Sequence, residues 1–133
     1  MLALRLAVLP VALVGAIVIA GCGESDEDHV RTQVDTIYDT FAEGDGEAAC
    51  RLVTEEAKTQ SQEDQGVTCE EGVADQARDL TPDQKRRLSN LEISEVKIDG
   101  DNATVTVKSD EDQQVIKLKK DGDEWKLASL IPD

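Results

Sequence analysis

The apolar residues of this chain recur at two spacings, and the switch between them near Leu91 sets the class of fold open to it. Before the switch they fall in short runs that return every three or four residues, as on one face of a helix. After it they return every second residue, as on one face of a strand. Helices gathered first and strands gathered last imply an α+β layer fold, with N-terminal helices packed on a curved C-terminal antiparallel sheet of about four strands.

In the first part, Val30, Val34, Ile37, Tyr38 and Phe41 form one stripe, Ser25 stands as the N-cap with Asp28 completing a capping box, and Gly44 ends the helix. Asp45 caps a short second helix bearing Ala48, Ala49, Cys50, Leu52 and Val53, and Thr54 caps a polar continuation to Lys58. Residues 59–68 are almost wholly polar and read as a loop. A third helix carries Val73, Ala77 and Leu80, and Thr81-Pro82-Asp83-Gln84 begins a further one that runs to about Leu88.

In the second part, Leu91, Ile93, Val96 and Ile98 make a strand whose phase slips at Ser94-Glu95, the mark of a bulge. Ala103, Val105 and Val107 alternate with Thr104, Thr106 and Lys108. Val115, Ile116 and Leu118 form a third strand, and Trp125, Leu127 and Leu130 a fourth, joined by a tight turn at Asp121-Gly122. No solenoid repeat or long linker divides the chain.

Ahead of the first helix, an apolar run from Leu6 to Ala20 closes on Ile19-Ala20-Gly21-Cys22 and is followed by acidic residues. The run holds 15 residues and includes Pro10 and Gly15, whereas a spanning helix needs roughly 20 apolar residues. An aliphatic residue, two small residues and a cysteine resemble a bacterial lipobox, where the thiol is acylated before the leader is removed. The expected division is a signal peptide over 1–21, lipid attachment at Cys22, an acidic tether over 22–28 and one domain over 29–133. An uncleaved anchor is the alternative.

The cysteine count fits this processing. Of three cysteines, acylation of Cys22 leaves Cys50 and Cys69 as an even pair in an oxidising compartment, where a disulfide is expected. The chain has no CxxC, and His29 is its one histidine, so a soft-metal or redox site is short of ligands. No cofactor is expected.

Charge narrows the partners. The balance is −15, and loss of the leader with Arg5 makes it −16. Nucleic acid and a bare anionic bilayer are both repelled, so membrane attachment falls to the lipid on Cys22. The acid clusters at Asp99–Asn102, Asp110–Asp112 and Asp121–Glu124 coincide with turns and lack the spacing of a calcium loop.

The order of these features resembles the small actinobacterial lipoproteins built on a trimmed NTF2-like, DUF4878-type domain. The resemblance is carried by Val30–Phe41 with Glu43-Gly44-Asp45, by Ala48-Ala49-Cys50 and Cys69, and by Asn102–Val107 and Glu124-Trp125-Lys126-Leu127. It implies a cone-shaped domain, trimmed because residues 54–68 show no strand pattern. Enzymes of that fold hold an aspartate with a histidine or tyrosine in the cone. Here His29 belongs to the exposed helix start, and Tyr38, Phe41 and Trp125, the only aromatics, are core residues first and pocket candidates second.

The expected function is therefore a non-catalytic binding or scaffold module on the outer face of the cell membrane, taking a small apolar ligand or an envelope protein. The alternative is a hydrolase or isomerase with an acid–base pair not evident in the sequence. The anchor is directly testable: Cys22→Ser should leave an unprocessed precursor, and metabolic labelling with a fatty acid should mark the wild type alone. Equal labelling of both would refute the lipobox reading.

Overall fold

The computed structural model describes residues 25–110 and 112–129. The lipobox, the leader and Cys22 lie outside the described residues, as do Glu111 and Leu130. Five helices precede a four-stranded antiparallel sheet in the order β1-β2-β3-β4, an α+β layout with an open sheet.

Helix α1 (Asp26–Glu43) starts on the expected capping box of Ser25 and Asp28 and ends at Gly44. Asp26, Glu27 and Asp28 thus form its first turn, where acids complement the helix dipole, and the tether expected over 22–28 gives way to helix after Ser25. The short α2 (Gly46–Arg51) follows on its Asp45 cap.

Residues 59–68 are largely not a loop. The Thr54 hydroxyl accepts from the Ala57 amide at 3.2 Å and begins α3 (Glu55–Gln65), which continues to Gly66. Its residues are good helix formers without an apolar stripe. Glu55 and Lys58 pair at 2.6 Å, and Ala57 and Ser61, four apart, are its buried positions. The stop is a backbone effect: Gly66 takes the left-handed φ of 72° that other residues resist. Helices α4 (Cys69–Asp79) and α5 (Pro82–Leu88) carry the Thr68/Glu71 and Thr81/Gln84 capping boxes.

The sheet comprises β1 (Glu92–Asp99), β2 (Asn102–Lys108), β3 (Gln113–Asp121) and β4 (Glu124–Leu127). The β1 register shifts between Ile93 and Glu95, at the expected slip. Pairing of Val105 with Ile116 and of Ala103 with Leu118 places these four on the inner face. Val115 pairs with Thr106 instead, so it belongs to the outer face and is 45% exposed, not part of the core. One edge of the sheet is extended by the chain between α2 and α3. The Leu127 amide donates to the Leu52 carbonyl at 2.7 Å, the Thr54 amide donates to the Leu127 carbonyl at 3.0 Å, and Val53 forms a parallel bridge with Leu127.

The α1 stripe meets the inner sheet face as expected: Val30, Val34 and Ile37 join Val105, Val107, Leu118, Trp125 and Leu127 in one core. Tyr38 and Phe41 pack against it half-buried. The Trp125 indole N–H makes no hydrogen bond to any described residue, contrary to the partner its burial calls for. Lys120 extends over that ring, its Nζ 5.7 Å from the centroid, and also reaches Asp26 at 3.3 Å, tying the start of α1 to β3.

A second, smaller cluster joins α2 to α4 through Ala49, Cys50, Cys69 and Val73, with Phe41 bordering both clusters. Cys50 and Cys69 form the expected disulfide. The two helices approach so closely that a Cβ on Gly46 would stand 2.6 Å from the Glu70 carbonyl oxygen, which only glycine avoids. With so few apolar side chains in this cluster, the crosslink has to supply much of its stability. Replacing both Cys50 and Cys69 by serine should therefore cost about 2–5 kcal/mol in urea unfolding, and the unreduced wild-type protein should offer neither of these thiols to an alkylating reagent.

A candidate binding cleft

Beside the packed core, α1, α4 and α5 do not fully cover the lower half of the inner sheet face. A hollow of about 300 Å³ remains there, walled by Ile37, Phe41, Val73, Ala77 and Ile116, with Tyr38 at its side. A second hollow of about 320 Å³ lies on the far side of Tyr38, Leu80, Leu88 and Gln114, which line both. The pair forms one cleft narrowed at Tyr38 and Gln114. The walls of the first hollow are mainly apolar, with Gln76, Lys117 and Ser129 also in its lining, as in small-molecule sites generally.

Helical spacing explains how α1 and α4 contribute. Ile37 and Phe41 are four apart on the α1 stripe, and Tyr38 is turned to the edge of that stripe, which leaves it half-buried. Val73 and Ala77 follow the same rule on α4, and Leu80 is the residue that caps its end. On β3, Gln114 pairs with Val107 and so shares the inner face with Ile116 and Leu118.

The Tyr38 hydroxyl meets Gln114 Oε1 at 3.5 Å, the long limit for a hydrogen bond and therefore a weak one. Burial raises the Tyr38 pKa above the ordinary phenol value, because the phenolate loses hydration that nothing nearby replaces. The carboxylate bordering the cleft is Asp112, an exposed residue at the rim of the second hollow. A third, shallower hollow of about 590 Å³ adjoins it, lined by charged and polar residues including Arg87, Asn90, Lys108 and Ser109.

Of the three aromatic candidates, the cleft brings together Tyr38 and Phe41 and leaves out Trp125. Trp125 is 2% exposed, sealed between α1 and the β3–β4 hairpin, and borders neither hollow. The correction follows from strand position: Trp125 pairs with Lys120, six residues along β3 from Gln114. Cys69 lines only a small hollow of about 30 Å³ with Phe41 and Ser61. His29 is exposed at the start of α1, away from the cleft.

Among the contributors that escaped the sequence reading are Leu88, Gln114 and Arg87. For Gln114 a signal existed, since stepping back in twos from Leu118 and Ile116 reaches Gln114 and passes over Val115. Leu88 and Arg87 depend on how α5 is laid across the sheet, which no local pattern encodes. Among the described residues no group of histidine, cysteine, aspartate and glutamate is arranged to hold a metal ion, and no helix is long and apolar enough to cross a membrane. No family model matches the chain, and neither does any curated protein or solved structure.

The tyrosine offers a clean probe of this site because it is the chain's only one. Its phenol should ionise in the folded protein above the ordinary value of 10.0 and return to that value in denaturant, as followed by phenolate absorbance. A folded pKa above the unfolded one gives a contribution that is complete below the unfolded value and is lost as pH rises through the folded value. Folded-state ionisation at or below the denatured value would show that Tyr38 is not desolvated.

Proposed function

We propose that this chain is a lipid-anchored, extracytoplasmic binding module of the trimmed NTF2-like type, and that its cleft receives a small apolar ligand. The observation that carries the reading is the cleft itself. Aliphatic side chains of α1, α4 and β3 are left facing an open hollow of about 300 Å³ where core packing would ordinarily close them together. Leaving such surface uncovered costs about 25 cal/mol for each Å² of apolar area, a cost an apolar ligand recovers.

Among the polar groups lining the cleft, the Tyr38 hydroxyl and the Gln114 amide stand at its narrowing and suit orientation of a ligand. The rim carboxylate Asp112 is exposed and lacks the desolvation that tunes a general base. Anchoring at Cys22 also fits this use. Two residues, Gly23 and Glu24, separate Cys22 from Ser25, so over three steps of about 3.5 Å the module would be held within about 10 Å of its lipid attachment. Apolar molecules are concentrated at such a surface.

The reading is tested in isolated membranes carrying the full chain, with an uncharged long-chain alcohol bearing a photoreactive diazirine as probe. Crosslinks should map to the peptides containing Tyr38, Phe41 and Leu80. Gln76→Trp, a bulky change at an exposed position on the rim, should suppress them while the melting temperature stays within a few degrees. Labelling that is spread over the surface and indifferent to Gln76→Trp would remove the cleft as a ligand site.

A further inference from the structure

Five arginines lie among the described residues, and four of them hold a carboxylate of their own helix. Arg31 pairs with Glu27, Arg51 with Glu47, Arg78 with Asp75 and Arg86 with Asp83. Arg87 is the exception. The one acid within reach along its own helix is Asp83, four residues back, and Asp83 is taken by Arg86. In a chain with 29 acidic residues, an arginine without a carboxylate partner stands out. The negative end of α5 accounts for a cation in the last turn, but not for its lack of an ion pair.

The place of Arg87 gives the lack a meaning. It lines the second hollow together with Tyr38, Leu80 and Leu88, and also the polar hollow beyond it, where Arg86 and Lys108 stand beside Asp83, Glu92 and Asp110. The cleft therefore runs from aliphatic walls, past the Tyr38 and Gln114 pair, to a guanidinium at its mouth. From this gradient we infer that the cleft's occupant is a free fatty acid, its chain along the apolar walls and its carboxylate on Arg87. The inference rests on the reading of the cleft as a ligand site.

Three features narrow the ligand to that class. The passage between the hollows is bounded by two side chains already within 3.5 Å. A single slender chain displaces one weak hydrogen bond to pass, whereas paired chains or a rigid ring system would have to spread both walls. The head meets a planar guanidinium, whose fork matches the two oxygens of a carboxylate. Asp112 lines the same hollow, and its charge opposes a dianionic phosphate more strongly than a monoanion.

The experiment compares a diazirine-bearing fatty acid with the alcohol of equal chain length in isolated membranes carrying the full chain, with crosslinked peptides identified by mass spectrometry. The acid should label the cleft about tenfold more than the alcohol, the lower end of what a charge-assisted hydrogen bond supplies. Arg87→Gln should bring the acid down to the alcohol's level and leave the alcohol unchanged. Arg78→Gln should alter neither, since that guanidinium is held by Asp75 and borders neither hollow. Equal labelling by acid and alcohol in the wild type, or an acid signal indifferent to Arg87→Gln, would overturn the inference and leave the cleft reading intact. An equal loss in Arg78→Gln would overturn the assignment to Arg87. If neither probe labels the cleft, the ligand-site reading falls and this inference falls with it.

Discussion

Everything else in this molecule depends on the contact between one helix and one sheet face. The α1 residues Val30, Val34 and Ile37 press on Val105, Val107 and Leu118, and Trp125 closes one end of the seam. Apart from that tryptophan the seam is aliphatic, and aliphatic side chains of middle size fill a layer closely but do not reach far beyond it. The core is therefore dense under the first half of α1 and thins out toward Phe41. The remaining helices attach around it by other means: α2 and α4 through a disulfide and a glycine contact, α3 through Ala57 and Ser61, and α5 with no fully buried residue at all.

That uneven distribution explains the cleft. A domain whose apolar residues suffice for one seam has to leave space where its outlying helices meet the sheet. Here the space falls between Phe41, Leu80 and Leu88 on one side and Gln114 and Ile116 on the other. The disulfide matters to the cleft as well as to stability, since it fixes the first turn of α4 and so the course of the helix that supplies Val73, Ala77 and Leu80. The void persists because its walls are held from behind.

Much of this was legible in the sequence, and the exceptions share a cause. Features set by neighbours along the chain were readable: the Ser25/Asp28 and Thr81/Gln84 caps, the bulge after Ile93, the Asp121-Gly122 turn and the stripe of α1. Helix α3 was misread because its evidence is propensity and capping instead of apolar period, and only Ala57 and Ser61 are buried along it. The face of Val115 was not readable, since three apolar residues in a short span leave the phase of a strand open until its partner strand fixes it. The unpaired state of Arg87 was not readable, because Arg86 and Arg87 are both placed to reach Asp83 and only the three-dimensional arrangement decides between them.

The two edges of the sheet differ in a way that bears on the proposed anchoring at a membrane surface. Along β4 the stretch Leu52–Thr54 occupies the outer hydrogen-bonding groups, while no strand among the described residues pairs with the outer edge of β1. That open edge is blunted: it is broken by the bulge at Ile93, it carries Glu95 and Lys97, and Arg31 donates to the Ile93 carbonyl at 3.3 Å. Molecules confined to a plane and oriented alike meet edge to edge far more often than molecules in free solution. A sheet with two bare borders would in that setting be a template for strand-by-strand growth into a fibril, whereas this one offers a single, interrupted border, which favours separate molecules even when they are crowded side by side.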